Sequence, residues 1–220
     1  MDGALLKRKV YAGFEKAAQR VGLPYDVYRP TSVSNPMSVG NKIATLSAAF
    51  TIHASNEFNF SKPSDYSSPL FHALIDPTNL KVGDYLSNPN DPLGPFFVIS
   101  MEPSKPPLVV QTNRVVTLTS PISSSSSVGL QAYHATTITN GTTLMVNWPA
   151  SVLLKSGAKT EKQLPSDAGH GAWRILLPYY RNVLIRPGTI ITDDLNNRMV
   201  VQIAELQNFG WRIDVEQAVT

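Results

Sequence analysis

Not one of the 220 residues is cysteine. That excludes disulfides, thiolate zinc sites and cysteine nucleophiles, and it suits folding in a reducing cytoplasm as well as it suits many exported chains. Charge is scarce too. Asp, Glu, Lys and Arg make up 16% of the chain, against ~25% in an ordinary globular protein, which together with many turn residues suggests a surface that contacts other protein. No apolar run reaches membrane-spanning length, and the opening "MDGALLKRKVYAGFEKAAQ" lacks the unbroken apolar core of a signal peptide. Both point to a soluble chain. A phosphate-cradling glycine loop and a "GxSxG" nucleophile elbow are missing as well.

Turn residues are plentiful: 17 prolines and 13 glycines. The formal charge of +3 resides in the first thirty residues, where Lys7, Arg8, Lys9, Lys16, Arg20 and Arg29 face Asp2, Glu15 and Asp26. A nucleic-acid binder normally shows a basic stripe interleaved with aromatics; this cluster reads instead as the solvated face of one helix. Leu6, Val10, Phe14, Ala17 and Val21 recur at helical spacing, and Gly22 and Pro24 stop the pattern. A lone helix of this length needs a surface to pack on, in its own chain or in a neighbour. "LPYDVYRPTSVSNP", residues 23 to 36, carries three prolines and two tyrosines and is expected to form an ordered extended arm, laid on its own domain or on an adjacent subunit.

Beyond the arm the chain reads as strand and turn. "KIATLSAAFTIHASNEFNF" alternates loosely, and "SSPLFHALIDP" is a short helical turn or a strand. "LKVGDYL", "FFVISMEP" and "PLVVQTNRVVTLTSP" are rich in β-branched and aromatic residues between turn signals. "SSSSSVG", residues 123 to 129, reads as a hinge or surface loop. Asn140-Gly141 and Asn196-Asn197 are hairpin signals, because asparagine and glycine tolerate positive φ. The fold class expected is mainly β: two small β-barrel or sandwich-like units, an N-terminal amphipathic α-helix and an extended arm. The boundaries expected are 1–36 for helix and arm, 37–122 for the first unit and 128–220 for the second, with one continuous domain as the alternative.

Two phrases share a grammar. "LKVGDYLSNPNDPLGPFFVISMEP" from Leu80 and "IRPGTIITDDLNNRMVVQIAEL" from Ile185 each run from an apolar residue through Gly83 or Gly188 into a short strand. A polar turn and an apolar return strand follow, then Glu102 or Glu205. Such a match points to a repeated structural unit. It also bears on the adjacent carboxylates Asp193 and Asp194, which are expected to close a hairpin rather than to hold a metal or move protons.

Candidate chemistry is thin. His53, His72, His134 and His170 fall at no ligand spacing. The loop "DAGHGAW", Asp167 to Trp173, places an acid near a histidine without a nucleophile, and no facing carboxylate pair can be chosen. Trp148, Trp173, Tyr179, Tyr180 and Trp211 suit a core or an interface, and secondarily a carbohydrate platform. No catalytic residue, cofactor or metal is therefore expected.

"AGFEKAAQRVGLPYDVYRPTSVSNP", "PLFHALIDPTNLKVGDYL" with "FFVISMEPSKPPLVVQTNRVVTLTSP", and the closing "IRPGTIITDDLNNRMVVQIAELQNFGWRIDVEQA" resemble the minor virion structural proteins of contractile-tailed bacteriophages, from the tail and baseplate region. The resemblance covers most of the chain in phrase and order, and it carries no catalytic motif. It implies a non-enzymatic virion component at the baseplate or tail-tube end. Such a component is made in the host cytoplasm and forms a homo-oligomeric ring against tube, hub or sheath proteins, with no membrane and no specific nucleic acid as partner. A head-to-tail neck or connector protein and a carbohydrate-binding tail module are the alternatives. The subunit-contact residues expected are Lys7, Arg8, Phe14, Tyr25, Tyr28 and Arg29.

Overall fold

The computed structural model describes residues 2–51, 69–103, 105–120, 141–155 and 172–217. One α-helix, a 3-10 turn at Val39–Asn41 and twelve strands are found there: α1 (Gly3–Val21), β1 (Leu23–Tyr28), β2 (Lys42–Thr51), β3 (Leu70–Leu74), β4 (Tyr85–Ser87), β5 (Phe96–Ser100), β6 (Leu108–Gln111), β7 (Arg114–Ser120), β8 (Thr142–Leu154), β9 (Ala172–Leu177), β10 (Ile190–Asp193), β11 (Arg198–Gln207) and β12 (Gly210–Gln217). The strands close into two six-stranded barrels, in the orders β1-β2-β3-β6-β5-β4 and β10-β11-β12-β9-β8-β7. Adding six to each number of the first order reproduces the second, read from β7. Each barrel is thus two three-stranded meanders joined at their first and third strands, and every pairing is antiparallel. The mainly β, two-unit expectation with an N-terminal helix stands.

The repeated phrase marks equivalent places in the two barrels. Gly83 and Gly188 both have positive φ, 91° and 85°, where a side chain would be strained. The Gly83 amide donates to the Val98 carbonyl at 2.8 Å and the Gly188 amide to that of Val201 at 2.8 Å. Val98 and Val201 donate back to Asp84 and Thr189, each at 2.9 Å. Even the irregularities coincide, since the ladder slips between Val98 and Ser100 in one barrel and between Val201 and Ile203 in the other.

Two boundaries differ from expectation. The arm does not begin at Leu23: residues 23–28 are β1, paired on both sides with β2 and β4. Pro24 is tolerated at the start of a strand, and the alternating Tyr25 and Val27, both 0% exposed, supply core. The barrels meet at Thr112–Asn113 rather than near residue 122. Thr112 is tied to the first barrel through the Pro95 carbonyl, while the Asn113 amide donates to Ala150 and its side chain pairs with the Val152 backbone at 2.8 and 2.9 Å. A junction pinned on both sides carries none of the small, flexible composition that marks a linker, so "PLVVQTNRVVTLTSP" hid it. Residues 123–129, Asn140, Asp167 to Gly171 and the histidines His53, His134 and His170 lie outside the described residues.

The barrels share a core. In "FFVI" of β5, Phe96 and Val98 point into the first barrel, whereas Phe97 and Ile99 join Tyr85 and Val110 against Trp148, Leu177 and Trp211 of the second. Burial on both faces explains an unbroken apolar run where a half-exposed strand would alternate. The loop from Arg29 to Asn41 adds a clasp, because the Val33 carbonyl accepts from the Val146 amide at 2.9 Å and from Trp148 Nε1 at 2.7 Å.

Candidate functional site

The six expected contact residues separate into two groups. Lys7 and Arg8 are exposed on α1, and Phe14 is half-buried. Asp2 caps this helix by accepting from the Ala4 amide at 3.0 Å. Only Tyr11 and Ala18 are buried along it, with Val10, Phe14 and Ala17 half-buried beside them, while Leu6 and Val21 at the ends of the expected stripe are exposed. The helix packs on β2 and β3 and ends where Gly22 meets the barrel; a Cβ there would lie 2.6 Å from the Ala18 carbonyl oxygen and 2.7 Å from that of Ala48. Residues 2–9 are exposed without exception. The first two turns are therefore the most exposed part of the helix.

The other three residues are absorbed by their own chain. Tyr25 lies in the first barrel's core, its hydroxyl donating to Asp91. Tyr28 packs against the core common to both barrels, and burial, with the Asp26 charge adding to it, pushes its phenol above the usual range. Arg29 grips Asp84 with two bonds, Nε to Oδ1 at 2.8 Å and Nη2 to Oδ2 at 2.7 Å. The hydrogen bonds to Asp84 hold the guanidinium above its ordinary pKa. Tyr25 is thereby corrected from a subunit contact to a core residue, for the reason given for β1.

The acidic pair divides. Asp193 is 7% exposed and shapes the β10–β11 turn: Oδ1 accepts from the Leu195 and Asn197 amides at 3.0 and 2.8 Å, and Oδ2 from Asn197 Nδ2 at 2.9 Å. Asn196 takes φ 61° within that turn. Asp194 points into solvent. Asn88 does the same work in the first barrel, with Oδ1 accepting from the Asn90 amide at 2.9 Å. Among the described residues no three His, Asp or Glu gather closely enough to hold a metal ion.

Sequence reasoning missed one feature. The end of the second barrel opens into a cavity of about 170 Å³, to which every strand contributes a residue: Arg114, Val152, Trp173, Asp193, Met199 and Gln217, with Asn113 and Asn197 at the edge. These residues are spread over a hundred positions, and only closure of the barrel brings them together. Arg114 Nε stands 4.0 Å from Asp193 Oδ2. A second cavity of about 190 Å³ lies between the barrels, with walls that include Leu70, Phe97, Leu108, Leu176, Phe209 and Trp211. No family model, no curated protein and no solved structure matches this chain.

Proposed function

We propose that this chain is a non-enzymatic structural component of a tailed-phage virion, a baseplate or tail-tube-end protein whose copies form a ring against neighbouring tail proteins. In this reading the double barrel is a rigid body and α1 is the connector. The observation that carries it is the exposure of residues 2–9, which bear Leu5, Leu6 and the basic run Lys7, Arg8 and Lys9. Short helical turns are marginal in water on their own, and the two adjacent leucines here, 39% and 45% exposed, are best satisfied by the groove of another subunit. The low overall charge and the resemblance of the phrases from Ala12, Pro69 and Ile185 to virion proteins agree with this role.

The test is a deletion of residues 2–9, which leaves Tyr11, Ala18 and β1 in place. A cut through Pro36 would remove β1 and open the first barrel, so it would report on folding instead. The shortened chain is expected to keep its β-sheet circular dichroism and melting temperature while losing incorporation into the particle. Normal incorporation of the shortened chain would refute the connector role. A cryo-EM map of the intact particle distinguishes the baseplate position from the neck.

A further inference from the structure

We propose that the open mouth of the second barrel binds a single neutral sugar ring. The first barrel shows what this mouth looks like when it is shut. Strand pairing sets Phe96 opposite Gln111 and Met199 opposite Gln217, Phe71 opposite Val109 and Trp173 opposite Val215, Phe50 opposite Ala73 and Val152 opposite Ile175. Asp26 opposite Ser87 and Thr117 opposite Thr192 set Tyr25 in the place of Val116 and Leu23 in that of Arg114, so Tyr25, Phe50, Phe71 and Phe96 occupy the places of Val116, Val152, Trp173 and Met199. In the first barrel the four rings plug the end, Phe50 stacking on Phe96 at 4.0 Å with Tyr25 and Phe71 edge-on at 4.9 and 5.5 Å. In the second a single ring remains, and the space vacated is the cavity of about 170 Å³.

Size and chemistry narrow the occupant. The cavity is smaller than the ~300–1,000 Å³ of sites that take larger ligands, so it accommodates one ring. Trp173, Val152 and Met199 form an apolar wall, and Arg114 and Gln217 a polar one. A hydrocarbon would strand the polar groups. An anion would approach Asp193 as closely as Arg114, whereas these two charges, 4.0 Å apart, leave the mouth neutral. Asp193 is already served by three N–H groups of its own turn, and among the described residues the Arg114 guanidinium makes no hydrogen bond. It is free to donate to hydroxyls. A pyranose has the required form, with an axial C–H face for an indole and an equatorial belt of hydroxyls for a guanidinium and an amide.

The experiment is an NMR titration of the full chain with glucose, galactose, mannose and N-acetylglucosamine, each to about 100 mM, since one ring with few polar contacts is expected to bind in the millimolar range. At least one sugar should move the Trp173 indole and Gln217 amide signals in a saturable way, leaving Trp148 and Trp211 in place. Val152→Phe and Arg114→Leu each install the first barrel's residue, and each should weaken that sugar at least tenfold. If Val152→Phe fails to fold, judged by its amide spectrum, Trp173→Ala takes its place with the same expected loss. The proposal is overturned if no sugar moves these signals, if only acetate or glucuronate does, or if the folded variants bind like the parent chain.

Discussion

The two barrels follow one plan and differ in what their surfaces and ends are made of. On the outer face of the first, Tyr85, Phe97, Ile99 and Val110 are buried against the second barrel. The equivalent positions there are Ile190, Val200, Gln202 and Glu216, and the last two are exposed, Gln202 Nε2 donating to Glu216 at 3.2 Å. A face that is apolar throughout in one copy and half polar in the other offers a third barrel no second apolar face of the same kind. The backbone plan is thus indifferent to partner. A handful of side chains decides whether a face is core or surface, just as four rings or one decide whether a barrel end is shut or open.

Six substitutions probe the comparison. Trp148→Ala should have the largest effect, because this side chain is 0% exposed and meets Tyr85 of the other barrel at 6.0 Å and Tyr180 at 5.4 Å. It also donates to Val33. A loss of about 3–5 kcal/mol is expected, seen as a lower urea midpoint in a single transition; two separate transitions would mean that the barrels fold independently. Next comes Arg29→Ala, which leaves Asp84, its side chain 1% exposed, without its cation. The expected cost is about 2–3 kcal/mol. In the second barrel Thr189 stands in the place of Asp84 with no cation on it, and Thr189→Ala, which removes one 3.3 Å bond from the Arg186 amide, should cost less than ~1 kcal/mol. Equal costs would show that the ion pair adds nothing beyond the turn itself.

Gly83→Ala and Gly188→Ala test the repeat directly. With φ of 91° and 85°, each should cost about 1–2 kcal/mol, and the two values should agree to within ~0.5 kcal/mol if the turns are energetically equivalent. The smallest effect is expected of Asp193→Asn, since Asn88 already performs this turn in the first barrel. A shift below ~0.5 kcal/mol in thermal unfolding is predicted, the range of changes that disturb no special feature. A large loss would assign the carboxylate a role beyond its turn.

Much of the fold was legible. Helix α1, the β character of the chain and the equivalence of Leu80 and Ile185 all follow from local patterns, because helix periodicity, β-branched runs and a glycine at positive φ are properties of neighbouring residues. The exact extent of the barrels was harder to read. "LPYDVY" has the proline and tyrosines of an arm, and only its pairing with β2 and β4 makes it a strand. Thr112–Asn113 looks like the middle of a strand because its pinning partners, Pro95, Ala150 and Val152, are distant in sequence.

Sequence alone determined that this is a cysteine-free, weakly charged β chain with a basic amphipathic helix and a repeated glycine-led hairpin, since each of those properties is carried by residues within a few positions of one another. Tertiary structure alone decided that Tyr25 is core, that Asp193 shapes a turn while Asp194 faces water, and that Arg114, Trp173 and Gln217 line one opening. Closing a six-stranded barrel brings into contact residues up to a hundred positions apart, and no local pattern records which of them will meet.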